Sequence, residues 1–366
     1  MKISKHEIRI RNILDEASLA IASQDIRVLL YDKATMCNVQ PFLFLNGSDE
    51  LHEFFTAHTR QAPPAYVVEA DHITLIGQGL IVDSKGRRLI AGVHEVCRMD
   101  LAQNLSLLID DGKCYRLDPK IRVRDINEDA AILSQAGQGV YGHWLVDILP
   151  RMAFLDSIGF QGKFVLYEPL ASFQIPLLNQ FGIALERIIT YQPKQEALQF
   201  RRVLIPCASR WKSGFSKMLV PAAVRRLPGQ KAMQPQAKLY ISRQILKSSS
   251  RTIINRQELE AVALSHGFDI IYPERLSIAE QASLFSSAAV VAGEYGSGMH
   301  NSIFSSPACK VLVFQSKARF PFIQAGLSNI MGQPVGFVFG ETAGDRGTFS
   351  INCHDADHAF SRLSHS

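Results

Sequence analysis

The sequence has no pair of cysteines in CxxC spacing, although six cysteines (Cys37, Cys97, Cys114, Cys207, Cys309 and Cys353) are scattered over its 366 residues. No histidine cluster joins them, which excludes a zinc-site or dithiol reading, and scattered thiols in a chain this long read as free cysteines of a reducing compartment. No stretch approaches the roughly 18 consecutive apolar residues that a membrane-spanning helix needs. The opening MKISKHEIRIRNILDEAS has no apolar run of the signal-peptide kind. These absences point to the cytoplasm, with room for peripheral contact at the inner membrane. Charge of one sign is also scarce. The net charge of +5 is spread evenly, which suits an anionic small ligand but is too weak for nucleic acid. There is no RNP-like, helix-turn-helix or zinc-finger pattern, no internal repeat and no low-complexity segment.

What is present is length, and 47% hydrophobic residues, enough for two domains with a core each. Residues 1–120 hold short apolar runs broken by turns. Ile73–Leu75, Leu80–Val82 and Leu89–Ala91 read as strands, with a hairpin turn at Asp83–Gly86 and a turn into a helix at Asn46–Asp49. From Asp129 onward strands alternate with helices. Ala131–Leu133 is followed by the glycine-bearing loop Gln135–Gly139 and a helix over Tyr141–Ser157. That helix carries Trp144, Leu145, Ile148, Leu149, Met152 and Leu155 on one face and should be kinked by Pro150. Pro228–Gln236 (PGQKAMQPQ) is the most linker-like stretch, and the expected domains are 1–215 and 216–366. Beyond it, Lys238–Ser242, Phe268–Tyr272, Ala289–Ala292 and Lys310–Phe314 read as strands. Helices between them should start at capping boxes Asn255/Glu258 and Ser277/Glu280. Such alternation predicts a parallel sheet of Rossmann type, with ligands beyond the carboxyl ends of its strands.

Three segments carry chemistry. The loop Gly293–Gly298 opens a short helix, so its amides suit a phosphate; the same pattern also serves an ordinary tight turn, and no GK[ST] follows to make it a P-loop. The loop after Ser242 places Arg243, Lys247 and Arg251 four residues apart, with Arg256 beyond; it reads as a phosphate clamp or as a solvated basic surface. Two anion-binding loops at one sheet edge favour the clamp. In Tyr141–Arg151, His143, Asp147 and Arg151 share one helical face. A carboxylate beside a histidine can act as a general base, or the three form a surface ladder. Glu258 and Glu280 are explained as caps. The DxD within His354–His358 lies in the C-terminal tail, away from any strand end. Phe320 and Phe322 read as core.

These segments, in this order, resemble glycosyltransferase family 61, which includes bacterial capsular polysaccharide synthesis proteins. The resemblance rests on His143, Trp144, Asp147, Pro150 and Arg151; on Ser242, Arg243, Arg251 and Asn255; on Leu276, Ser277, Glu280 and Gln281; and on Gly293 through Asn301. It departs where the family's histidine before the Gly-Ser-Gly turn is Tyr295 here, with His300 following instead, and where Arg256 replaces a glutamate. The resemblance implies an α/β fold of two Rossmann-like domains facing a cleft (GT-B-like). It implies inverting transfer of a sugar from a nucleotide-sugar to a glycan or lipid-linked glycan, without a metal or other cofactor. Asp147, steadied by His143, would be the base. Arg243, Lys247, Arg251, Tyr295, Gly296, Ser297, Gly298, His300, Asn301 and Glu280 would bind substrate. A nicotinamide-dependent oxidoreductase using Gly293–Gly298 is the rival, disfavoured because the acidic residue expected about 20 residues on is missing. A non-catalytic polysaccharide-assembly scaffold is the third reading.

Overall fold

A computed structural model of the chain describes residues 1–4, 7–9, 25–91, 100–227, 235–244, 252–318, 321–343 and 348–364. Along the chain come β1 (Ile26–Asp32), β2 (Leu43–Leu45), α1 (Asp49–Thr59), the long strand β3 (Ala65–Ile76), β4 (Leu80–Val82), β5 (Arg88–Ile90), β6 (Arg122–Ile126) and β7 (Ala130–Ile132). Helix α2 follows without a break as Tyr141–His143, Trp144–Ile148 and Leu149–Ser157. Then come β8 (Lys163–Tyr167), α3 (Gln174–Gln180), β9 (Ile188–Tyr191), β10 (Glu196–Pro206), α4 (Leu219–Val224), β11 (Ala237–Ile241), α5 (Arg256–Ser265) and β12 (Asp269–Ile271). The last third holds α6 (Ile278–Ser286), β13 (Ala288–Glu294), a 3-10 helix Ser297–Phe304, β14 (Lys310–Ser316), α7 (Ile323–Met331), β15 (Val335–Thr342), β16 (Phe349–Ser350) and α8 (Cys353–Ser364). Most of the linker-like stretch lies outside the described residues. No helix among the described residues is long and apolar enough to cross a membrane.

The chain forms two compact units, the first of residues 1–35, 63–211 and 216–226, the second of 36–62, 212–215 and 227–366. In the first, the sheet order is β9-β8-β7-β10-β3-β4-β5. Strands β7, β8, β9 and β10 run parallel, and β3 is antiparallel to β10. From β7 the chain steps outward through α2 and α3 to β9, then returns so that β10 lies on the other side of β7. The carboxyl ends of β7 and β10 therefore flank a point where the strand order reverses, and such points form crevices in open parallel sheets.

The second unit has the order β12-β11-β13-β14-β15, all parallel. Its reversal falls between β11 and β13. One face packs Tyr240, Val290, Ala292, Leu312 and Phe314 against Leu259 of α5 and Phe360 of α8. The other carries an aromatic cluster: Phe322 lies 4.9 Å from Phe55 and 5.3 Å from Phe337, ring to ring, and Phe44 lies 4.7 Å from Phe339. Phe322 is thus core; Phe320 lies outside the described residues.

Residues 36–62, expected with the N-terminal domain, belong to the second unit. The reason is β2, which pairs parallel with β15 and caps that sheet edge, while α1 supplies Phe55 to the aromatic cluster. The three-residue apolar run Leu43–Leu45 carries no local sign of where it pairs. Ser277 and Glu280 form the full capping box expected at α6. At α5 the helix begins after Asn255 as expected, but no capping box forms. The Asn255 amide instead donates to the Ile351 carbonyl at 2.7 Å and its Oδ1 accepts from the Ile351 amide at 3.2 Å. A main-chain strap thus takes the groups that a cap would use.

Candidate functional site

In the first unit the site grows from α2. Its apolar stripe is buried as the spacing requires, with Trp144, Leu145, Ile148 and Leu149 wholly inaccessible. The Trp144 indole donates to the Gln138 carbonyl at 2.7 Å. Gln138 also donates to and accepts from Tyr167 at the end of β8, so the 135–139 loop is tied to the sheet edge. Gly137 takes a φ of +80° against the His143 ring, a backbone shape that side chains other than glycine's adopt at a cost.

Pro150 does not simply kink this helix. It lacks the N–H that would bond the Val146 carbonyl four residues back. The segment Trp144–Ile148 widens into a π turn in which the Leu149 amide bonds the Trp144 carbonyl. The freed Val146 carbonyl accepts from the Ser209 hydroxyl, which follows β10. Ser209 Oγ also lies 3.2 Å from Asp147 Oδ1. π turns of this kind are frequent at functional sites.

Asp147 is buried, and its side chain is 3% exposed. Oδ1 accepts from Arg210 Nε at 3.0 Å, and Oδ2 lies 2.6 Å from His143 Nδ1 and 3.4 Å from Arg210 Nη2. Burial by itself pushes the carboxyl up, but the Arg210 guanidinium and the His143 hydrogen bond outweigh it and hold Asp147 well below the usual carboxylate range. The His143 side chain stays 36% exposed. The arrangement is a partly exposed imidazole whose Nδ1 is held by the Asp147 carboxylate, with Nε2 on the opposite edge of the ring.

Arg151 does not complete a ladder with Asp147. It is buried, and donates to Gln135 Oε1 at 2.8 Å and to the carbonyls of Ile132, Leu133 and Pro206 at 3.2–3.4 Å. Burial lowers its pKa to about 10, still cationic at neutral pH. It gathers the carboxyl ends of β7 and β10 under the site. Ser209 and Arg210 were not foreseen. They lie about sixty residues from Asp147, and the only signals were a proline that frees a carbonyl and an acid on an apolar helix, both of which demand outside partners.

In the second unit, the loops after the adjacent strands β11 and β13 meet, as the sequence expects. A Cβ added to Gly296 would fall 1.9 Å from Arg243 Nη1, so the guanidinium lies directly over the backbone of the glycine loop. Gly298 packs on Ile241 and Pro273. Ser297 and Gly298 head the 3-10 helix, whose first turn is closed by the Met299 amide on the Gly296 carbonyl. Beneath Arg243, the buried Glu294 receives the Arg243 amide at 3.3 Å and a two-point grip from Arg256, with Nη2 to Oε2 at 2.7 Å. This Arg256–Glu294 pair was also missed, because only the sheet register brings α5 over the end of β13.

Lys247 and Arg251 lie outside the described residues. Tyr295 and His300 are buried, their rings 6.5 Å apart. His300 Nδ1 lies 3.0 Å from Gln324 Oε1, and Asn301 donates to Gln281 at 2.7 Å; both side chains tie the short helix to its neighbours. Glu280 is exposed and its carboxylate accepts the Ser277 amide at 2.7 Å, so it serves its own helix. The DxD acids sit on α8, where Asp355 accepts from Asn46 at 2.6 Å and Asp357 pairs with His266 at 2.8 Å. Among the described residues no group of three His, Cys, Asp or Glu could hold a metal ion.

Residues 141–312 match the family model described as Glycosyltransferase 61. Over this segment the chain is similar to glycosyltransferase family 61. None of the curated proteins compared with it matches. The family 61 match begins at Tyr141, the first residue of α2, and ends within β14. It therefore spans His143, Asp147, Arg210, Arg243 and the Gly296 loop. The similarity points to glycosyl transfer, and so to a sugar donor and a glycan acceptor in general terms.

Proposed function

We propose that the chain moves a sugar from a nucleoside diphosphate-sugar to a hydroxyl of a glycan or lipid-linked glycan, with inversion at the anomeric carbon. The division of labour is that of GT-B enzymes, with acid–base work in the first unit and donor binding in a Rossmann-like second unit. The observation that carries this reading is the His143–Asp147–Arg210 relay. The sequence suggests Asp147 as the base; its burial, its depressed pKa and its occupied oxygens favour His143 instead.

In this mechanism His143 Nε2 takes the proton of the acceptor hydroxyl while that oxygen bonds the anomeric carbon and the bond to the diphosphate breaks. Asp147 stays ionised and stabilises the imidazolium that forms, a role known for buried aspartates behind catalytic histidines. The charge that builds on the leaving diphosphate is met by Arg243 and the amides of Gly296–Gly298. Lys247 and Arg251 belong to the same basic loop and are proposed to add to it. Fixed donors aimed at developing charge are commonly the largest catalytic contribution. Tyr295, His300, Asn301 and Glu280 support the loop and helices in this reading.

A thermal-shift screen with nucleoside diphosphates and their sugar conjugates tests the reading. A ligand at 100 times its Kd stabilises the native state by about 2.7 kcal/mol, so one nucleotide class should raise Tm clearly, and its sugar should pass to a glycan acceptor. A panel that leaves Tm unmoved would sink it.

A further inference from the structure

Gln315 is the penultimate residue of β14, and it is 1% exposed. Neither its Oε1 nor its Nε2 finds a hydrogen-bond partner among the described residues. A buried amide with both ends unpaired is unfavourable, because each group has lost its water without gaining a partner. Native folds keep few such groups, and those they keep call for a cause.

Register supplies the surroundings. Leu312 and Phe314 face the core under α5 and α8, so alternation along the strand turns Gln315 to the opposite face. There its lateral neighbour on β15 is Phe339. On the other side Glu294 pairs with Phe314, and the Tyr295 amide bonds the Phe314 carbonyl, which sets Tyr295 beside Gln315. By register Gln315 therefore lies between Phe339 and Tyr295 at the carboxyl edge of the sheet, one strand from the reversal where Arg243 overlies Gly296.

We infer that Gln315 is a specificity-determining residue that reads the donor, its Nε2 donating to and its Oε1 accepting from adjacent polar groups of the bound nucleotide-sugar. This rests on the donor-binding reading above. A hydroxyl pair of the transferred sugar and the edge of the nucleobase both offer one acceptor beside one donor, and the test separates them. Aromatic neighbours suit either, because they exclude water from the hydrogen bonds without competing for them.

The experiment uses Gln315→Met, which keeps the length of the side chain and removes both polar ends, with Gln315→Leu as the second variant should the first not fold. Apo Tm is measured first, then Kd by calorimetry for UDP and GDP alone and for their sugar conjugates. The inference predicts an apo Tm no lower than wild type, since an unsatisfied amide has been removed, together with a Kd weakened about tenfold or more, the range expected for a lost buried hydrogen-bond pair. Weakening for diphosphate and conjugate alike assigns Gln315 to the nucleoside; weakening for the conjugate alone assigns it to the sugar. Wild-type affinity in a folded variant overturns the inference and leaves the proposed function standing. A wild-type protein that binds none of the probes overturns both.

Discussion

The two sheet reversals handle polarity in opposite ways. In the first unit, Asp147 spends both oxygens on His143 and Arg210, with Ser209 alongside, and one edge of the imidazole stays exposed. In the second unit, Arg243 overlies a bare glycine and Gln315 is left without partners among the described residues. The first arrangement spends its polarity internally; the second leaves the Gln315 amide unpaired among the described residues. Preorganisation serves a group that changes charge, and unspent hydrogen-bonding capacity gives selectivity for a ligand.

The comparison breaks first at His143. His143→Gln should lower kcat by on the order of 10²–10⁴-fold while donor Kd and Tm stay near wild type, checked by steady-state turnover and calorimetry. A matching loss in donor affinity would mean that the imidazole binds rather than transfers a proton.

Arg210→Met probes the same cluster through stability. It strands a buried carboxylate and should cost about 3–5 kcal/mol in urea unfolding at neutral pH. The pH dependence has a definite sign. In the wild type the folded value of Asp147 is depressed, so its contribution is complete above the unfolded value of about 3.9 and is lost only as pH falls through the lower folded value. Without Arg210 the strongest pull on Asp147 is gone and the folded value rises, so the stability its ionised form contributes at neutral pH shrinks. The gap between variant and wild type should therefore be wider at pH 7 than at pH 4. A gap that does not change with pH would show that Asp147 is not the group responsible.

Gly296→Ala should have the smallest effect on folding and a selective one on binding. The backbone there is extended, with φ of 166°, so alanine meets no strain, and the obstacle is the movable end of Arg243. Stability should change by no more than about 0.5 kcal/mol, while diphosphate affinity weakens severalfold as the guanidinium is displaced. A loss of stability with intact affinity would assign the contact to packing alone.

How much of this was legible in the sequence depended on distance along the chain. The α2 stripe, the Ser277–Glu280 box and the meeting of the two loops after β11 and β13 follow from local spacing plus the rule that parallel strands present their carboxyl ends together. The partners of Asp147 do not, since nothing near position 147 names positions 209 and 210. The same holds for Glu294 and Arg256, joined by sheet register, and for β2, whose place beside β15 is decided by an edge nearly 300 residues away. The engagement of Asp147 was hidden for a related reason. A carboxylate in a sequence looks available, and only its surroundings show it to be fully engaged.

The early excursion of residues 36–62 into the second unit has a practical consequence for anyone cutting the chain. A fragment that begins after the first unit would leave β15 with an open backbone edge where Leu43–Leu45 normally pairs, and would bare the rings that Phe44 and Phe55 cover. An uncovered, apolar strand edge invites pairing with other copies. During synthesis the same strand emerges long before its partner, so the second unit cannot close its sheet until nearly the whole polypeptide has been made.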